Sequence, residues 1–294
     1  MADTTSATEL NSEAIEAWDG PLFERFVSFR DIVVGGLAPH GDEALRVAGP
    51  RPGDRVIDIG CGFGDSTQQL AAIVGADGSA LGVDAAPRFI DAATAEADAA
   101  GVRNVSFLAA DVQTMELDER FDMAFSRFGT MFFASPVAAL RNVANVLVPG
   151  APLTMVVWRR REDNEWIYRA QQIVEGILSR PEDYDEPTCG PGPFSMSGAD
   201  TTSDILLSAG FEDVALRRCE LPIMVGRDID EAIEVVTALG PAGEILRLWG
   251  DRAADRHDEV IGALREGMAD FVGPDGSVRA GASTWIVTAR TPAA

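Results

Sequence analysis

The chain has 294 residues, 46% of them hydrophobic, which suffices for one large domain or a domain with an inserted cap and excludes disorder as the main state. Its 47 acidic and 24 basic residues give a formal charge of −23, so the average surface repels phosphate backbones and anionic headgroups, and no nucleic-acid partner is expected. Every basic residue is Arg, which removes any Schiff-base, Walker or pyridoxal-anchoring lysine and matches the codon bias of a GC-rich, bacterial genome.

Residues 1–50 place Trp18, Phe23, Phe26, Phe29 and Ile32 among charges and read as a helical arm. Residues 55–59 form a short apolar run that ends in a glycine cluster, the first strand. Asp65, with Gln68 three residues on, is placed to cap the next helix, whose Leu70, Ile73 and Val74 share a face. A second strand over 80–84 leads to Pro87, favoured in a first helical turn, and an Ala-rich helix to about Ala100. Strands follow over 105–108 and 121–126. Ser135 and Pro136 open a helix to about Leu147, and residues 153–158 give a fifth strand. This alternation implies a parallel α/β sheet.

Beyond it, Trp166, Ile167, Ala170, Val174 and Leu178 mark a helix, and residues 181–199 read as a long Pro- and Gly-rich loop. A sixth strand over 214–225 precedes two helical patterns, Ile229/Ile233/Val236 and Ile261/Leu264/Met268/Phe271, and residues 284–288 close the chain as a strand.

The central signal is Asp58-Ile59-Gly60-Cys61-Gly62-Phe63-Gly64, between a strand and a helix. Glycines without Cβ let the chain pass beside a nucleoside, and free amides at a helix start offer donors to a ligand. A dinucleotide loop would carry a third glycine where Asp65 stands, and that acid repels a pyrophosphate. Asp84 ends the next strand, placed to grip a ribose diol, and Asp111 ends the third, within reach of an adenine amino group. All three acids close strands on one sheet edge and converge on one crevice.

In these residues the chain resembles the class I S-adenosylmethionine (SAM) methyltransferases, in the ubiquinone/menaquinone-type branch that acts on small molecules. Residues 56–67, 82–84, 110–112 and 121–133 are similar to the family's successive motifs, and the Pro149-Gly150 turn also matches. The resemblance implies a doubly wound, Rossmann-like α/β fold with a mostly parallel seven-stranded sheet, an N-terminal helical arm and a helical cap insertion. It divides the chain into an arm or lid (1–50), a SAM-binding core (51–160) and a cap with the last strands (161–294). By position it puts Gly60, Cys61 and Gly62 at the methionine moiety, Asp84 on the ribose, Asp111 and Val112 at the adenine, and Ser126 and Arg127 on the methyl-donor side, with Asp58, Gly64, Thr67, Ala85 and Ala110 also in the cofactor site. Trp18, Phe23, Phe128, Met131, Phe132 and Trp158 are the substrate-side candidates, with Phe133 beside them.

No Pro-Pro-aromatic stretch of the nucleobase methylases follows strand four, and no histidine stands in the acceptor loop, so the general base is unassigned; of the two histidines, only His40 is placed to reach the crevice. Cys61, Cys189 and Cys219 show neither a disulfide framework nor metal spacing, and no apolar run approaches a membrane helix. The expectation is a cytoplasmic, metal-free enzyme methylating a small organic acceptor at O, N or C; a homodimer is allowed. The alternatives are an NAD(P)-dependent oxidoreductase and a non-catalytic SAM-binding regulator.

Overall fold

The structure, a computed structural model, describes residues 7–181 and 191–293. The arm consists of α1 (Ala7–Ala17), α2 (Phe23–Ser28) and α3 (Ala38–Ala48). Gly20 leaves helical geometry just before Pro21, which separates α1 from α2 as expected of that pair.

The core follows as β1 (Arg55–Ile59), α4 (Asp65–Val74), β2 (Ser79–Asp84), α5 (Pro87–Ala100), β3 (Val105–Ala109), β4 (Met123–Arg127), α6 (Pro136–Asn145) and β5 (Pro152–Trp158). Next come α7 (Glu165–Leu178), α8 (Ala199–Ala209), β6 (Glu212–Gly226), α9 (Ile229–Leu239), α10 (Pro241–Trp249), α11 (His257–Met268) and β7 (Val278–Arg290). The seven strands form one sheet in the order β3-β2-β1-β4-β5-β7-β6. Strands β1 to β5 pair in parallel, while β7 runs antiparallel to both β5 and β6. The seven-stranded, mostly parallel sheet expected from the sequence is therefore present.

Strand order reverses between β1 and β4, and a doubly wound sheet opens its ligand crevice at that switch, outside the carboxyl ends of the strands. Side-chain alternation sorts the two faces. Val56, Met123 and Phe125 pack with Leu45 of α3 and Leu70 of α4, while Ile57, Ile59 and Ala124 pack with Leu140 and Val143 of α6. The outer parts of β6 and β7 leave this core. Their Ile223, Val225, Val278, Ala280 and Ala282 join α7, α9, α10 and α11 in a second core, so the cap grows from the same strands that close the sheet.

Several boundaries differ from the sequence reading for identifiable reasons. The fourth strand starts at Met123, because the Asp122 carboxylate accepts the Arg55 N–H at 2.8 Å and Phe121 makes only a bridge to Leu147. Asp65 does not cap α4; Gly64, at φ 77°, is the cap residue and Asp65 faces Arg30 instead. Helix α8 occupies residues the reading left between the loop and the sixth strand, and α10 is a third late helix that begins right after Gly240. Of the loop over 181–199, residues 182–190 lie outside the described residues, as does Cys189.

Candidate active site

The Gly60 loop leaves β1 at the switch point. Gly60 (φ 67°) and Gly62 (φ 53°) hold left-handed conformations that L side chains adopt at a cost, and a Cβ on Gly60 would stand 2.7 Å from Gly129 Cα in the loop after β4. The two loops thus touch backbone to backbone. Gly64 serves packing: a Cβ there would meet the Phe107 ring at 2.6 Å.

Behind the loop Asp58 is fully buried; its Oδ2 accepts from Ser66 Oγ and Thr67 Oγ1, both at 2.7 Å, and its Oδ1 has no hydrogen-bond partner among the described residues. Burial pushes its carboxyl up to about 6, against the hydroxyl donors and the Arg127 charge that pull it down. A folded-state value above the unfolded one favours the fold while the group is protonated. That contribution is intact below about pH 4 and is lost as pH rises through 6. Between pH 4.5 and 7.5 the loss amounts to roughly 2 kcal/mol, and Asp58→Asn is expected to remove that much of the wild-type decline in urea-unfolding free energy. Parallel profiles for the two proteins would contradict this origin.

Asp84, at the end of β2, faces the cleft; its Oδ2 accepts Gly62 N–H and its Oδ1 accepts Ala86 N–H, both at 3.0 Å. Burial raises its carboxyl above the ordinary range. At the end of β3 the Asp111 carboxylate accepts Gln113 N–H at 2.9 Å and meets Asn11 of the arm. Burial, helped by Asp84 and Asp58, pushes the Cys61 thiol well above its usual range, which leaves Cys61 to contribute backbone.

These groups line one cavity of about 1050 Å³, which runs from the three strand ends to the cap. Of the residues singled out in the sequence, it brings together Gly60, Cys61, Gly62, Asp84, Ala85, Asp111, Val112, Arg127, Trp18, Phe128, Met131, Phe132, Phe133 and Trp158. Asp58 and Thr67 stand behind the wall, Ala110 N–H is spent on the Asp84 carbonyl, and Ser126 Oγ donates to the Ile59 carbonyl at 2.7 Å. Phe23 lies outside the cavity, packed on Phe89 with the Arg88 guanidinium 4.2 Å from its ring centroid. His40 does not reach the crevice: it is fully buried, with Nδ1 2.9 Å from Thr284 Oγ1 and Nε2 3.3 Å from the Leu221 carbonyl, and burial lowers its pKa. His257 is exposed on α11.

The cavity wall also contains groups the sequence reading passed over. Asn11 closes the end beside Asp111, and Ile223, Met224, Val225, Val235 and Leu239 give the cap side an apolar stretch of wall, with Arg25, Glu244 and Arg247 also lining the cavity. Only tertiary pairing of β6 with the cap brings the five apolar residues to the site. Among the described residues no cluster of His, Cys, Asp and Glu could hold a metal ion.

A family model described as a methyltransferase domain matches residues 50–178. The demethylmenaquinone methyltransferase of Corynebacterium kroppenstedtii is 30% identical over 200 residues, 63% of this chain and 80% of that enzyme. The chain belongs to the class I SAM-dependent methyltransferases, in the quinone-type branch. SAM is accordingly its cofactor, and the oxidoreductase alternative falls. The aklanonic acid methyltransferase DauC of a Streptomyces strain is 35% identical over 115 residues, 39% of this methyltransferase but only 52%, about half, of that relative. In fold it is similar to the YcgJ protein of Bacillus subtilis, with a TM-score of 0.56, 19% identity and coverage of 86% of this chain and 98% of that one.

The residues present fit SAM. Gly60 and Gly62 line the cleft without side chains, Asp84 and Asp111 present carboxylates to it, and Asp65 stands where a diphosphate would be repelled.

Proposed function

We propose that this methyltransferase transfers a methyl group from SAM to a small, largely apolar organic acceptor by in-line displacement. The observation that carries the reading is the continuity of the cavity: one space joins the acid-lined cleft to an apolar chamber under the cap, and at about 1050 Å³ it exceeds what one drug-sized ligand needs.

When bound, SAM supplies an electrophilic methyl group on a cationic sulfur. Asp84 and Asp111, both on the cleft wall, would hold the nucleoside end by charge-assisted hydrogen bonds, and the Gly60–Gly62 backbone would leave room for the donor tail beside the loop. The chain's main contribution to the reaction is alignment. Phe128, Met131, Phe132 and Trp158 exclude water around the transfer point; Phe128 stacks on Trp158 with ring centroids 4.6 Å apart, and Met131 Sδ accepts the Trp158 N–H at 3.3 Å.

In this reading residues 1–50 act as a lid, 51–160 as the cofactor core and 161–294 as the cap with the closing strands. The arm is latched over the cleft by polar contacts: Asp19 accepts the Arg88 N–H at 2.8 Å, Glu24 pairs with Arg88 at 2.6 Å, and Arg30 pairs with Glu96 and Asp65. Such partly exposed pairs are weak one by one, so the latch is suited to opening. S-adenosylhomocysteine (SAH) is expected to slow proteolysis over residues 10–30 and 191–199; equal cleavage with and without it would leave the cleft permanently open.

The function is tested by calorimetry on the whole chain with SAM, SAH and reduced nicotinamide dinucleotide. One molar equivalent of SAH should bind, the dinucleotide should not, and SAH affinity should be the same after treatment with a chelator. Binding of the dinucleotide in place of SAH, or loss of SAH binding with chelator and its return with magnesium, would overturn it.

A further inference from the structure

Arg127 ends β4, and alternation sends its side chain to the face of Met123 and Phe125, the face covered by α3. There α3 carries Gly41, whose missing side chain makes room: a Cβ at 41 would stand 2.8 Å from Arg127 Cδ. Helix α3 is itself tied to β6 and β7 through His40, so the helix beside the arginine stem is fixed to the sheet.

The other arginines on the cavity wall each have a partner or water. Arg25 donates to the Ala238 carbonyl, Arg161 pairs with Glu162, Arg247 pairs with Glu244, and Arg160 is exposed to water. Arg127 is half-buried and makes no hydrogen bond or ion pair among the described residues, in a chain whose acids outnumber its bases 47 to 24. A half-buried guanidinium that feels the charge of Asp58 but makes no hydrogen bond to it has lost hydration without gaining a hydrogen-bond partner, which is costly unless a ligand supplies one. Phe128, directly after it, holds φ 60°, an unusual conformation for a bulky residue, and its stack on Trp158 sets a flat aromatic wall next to the charge.

We propose that Arg127 anchors an ionised oxygen of the acceptor, and hence that the acceptor is a ring-bearing, mostly apolar molecule with an acidic hydroxyl or a carboxylate. The inference rests on the methyltransferase reading above. It also accounts for a cavity wall without a histidine: an acceptor that arrives ionised leaves no proton for the protein to remove. Where that oxygen is the nucleophile, its lone pair forms the bond to the methyl carbon as the carbon–sulfur pair returns to sulfur. The products are then a neutral methyl ether or ester and a neutral thioether. Arg127 is a positioning and specificity residue in this scheme, since it fixes the oxygen and favours the charged form of the acceptor.

The test uses the full chain saturated with SAH and two calorimetric probes, 2-hydroxy-1,4-naphthoquinone, which is ionised at neutral pH, and its neutral methyl ether. The expected result is about tenfold or greater preference for the ionised probe, the size of one hydrogen bond to a charged group. Arg127→Gln should abolish the preference and leave SAH affinity within about twofold, while Arg127→Lys should restore part of it. Gly41→Ala, which pushes on the arginine stem and keeps its charge, should also reduce the preference, and thermal melting of each variant separates these effects from misfolding. A preference that survives in Arg127→Gln, an equal or stronger affinity for the ether, or no binding of either probe to the wild-type protein would overturn the proposal. So would a loss of SAH affinity in Arg127→Gln, which would assign the arginine to the cofactor's own carboxylate. Failure of the wild-type chain to bind SAH at all is a separate outcome that refutes the methyltransferase reading itself.

Discussion

Asp84→Ala is expected to weaken SAH binding by about 2–3 kcal/mol, thirtyfold to over a hundredfold, in calorimetry at neutral pH. The carboxylate has two tasks in the structure. It faces the cleft at the end of β2, where a ribose diol can be held by charge-assisted bonds, and it accepts the N–H groups of Gly62 and Ala86 at 3.0 Å each. Alanine removes the ligand contact and also releases the glycine loop. Asp84→Asn separates the two, because one carbonyl oxygen remains to accept from the loop while the charge is gone; its affinity should fall between those of wild type and Ala. Unchanged affinity in the Ala variant would remove the ribose assignment, and equal losses in both variants would attribute the whole effect to charge.

Gly129→Ala is expected to destabilise the protein by roughly 2–4 kcal/mol in urea unfolding, a cost at the high end for one added methyl. Gly129 has φ −86°, an ordinary value for any residue, so backbone strain contributes nothing. A Cβ there would stand 2.7 Å from the Ile59 carbonyl oxygen and 2.8 Å from Gly60 Cα. Both neighbours are backbone and neither can turn aside, so the loops after β1 and β4 must separate at the switch point where the cleft opens. SAH affinity should fall together with stability. A variant as stable as wild type would show that the two loops are not in contact.

The core was legible because its signals are local. The apolar run over 55–59, the glycines after it and Pro87 each act within a few residues, and the structure reproduces the elements they predict. Asp65 misled for the same reason. A capping pattern within four residues was overridden by Gly64, which takes the cap position in left-handed geometry, like Gly60 and Gly62 before it.

The cap was poorly legible. Helix α8, with Thr201, Thr202 and Ser203 in its first turns, has weak helix formers where a start signal was sought, and α10 follows α9 with only Gly240 between them, which hides its separate pattern. The outer half of β7 alternates Val278, Ala280 and Ala282 with Arg279 and Gly281, residues too small or polar to announce a strand, yet paired along their length with β6. The site divides along the same line. Glycines and strand-end acids could be assigned from spacing alone, while the fate of His40 was decided by Thr284 and Leu221, far away in the chain.

In this mechanism one cavity serves both a SAM-type donor and an apolar small acceptor. This is tested most directly by incubating the purified chain with methyl-labelled SAM and a bacterial extract, then following the label. The expected result is SAH release matched by label in the solvent-extractable, low-molecular-weight fraction, and loss of both in Asp84→Ala. Label recovered in the protein or nucleic-acid fraction, or tight SAM binding with no SAH released, would contradict it.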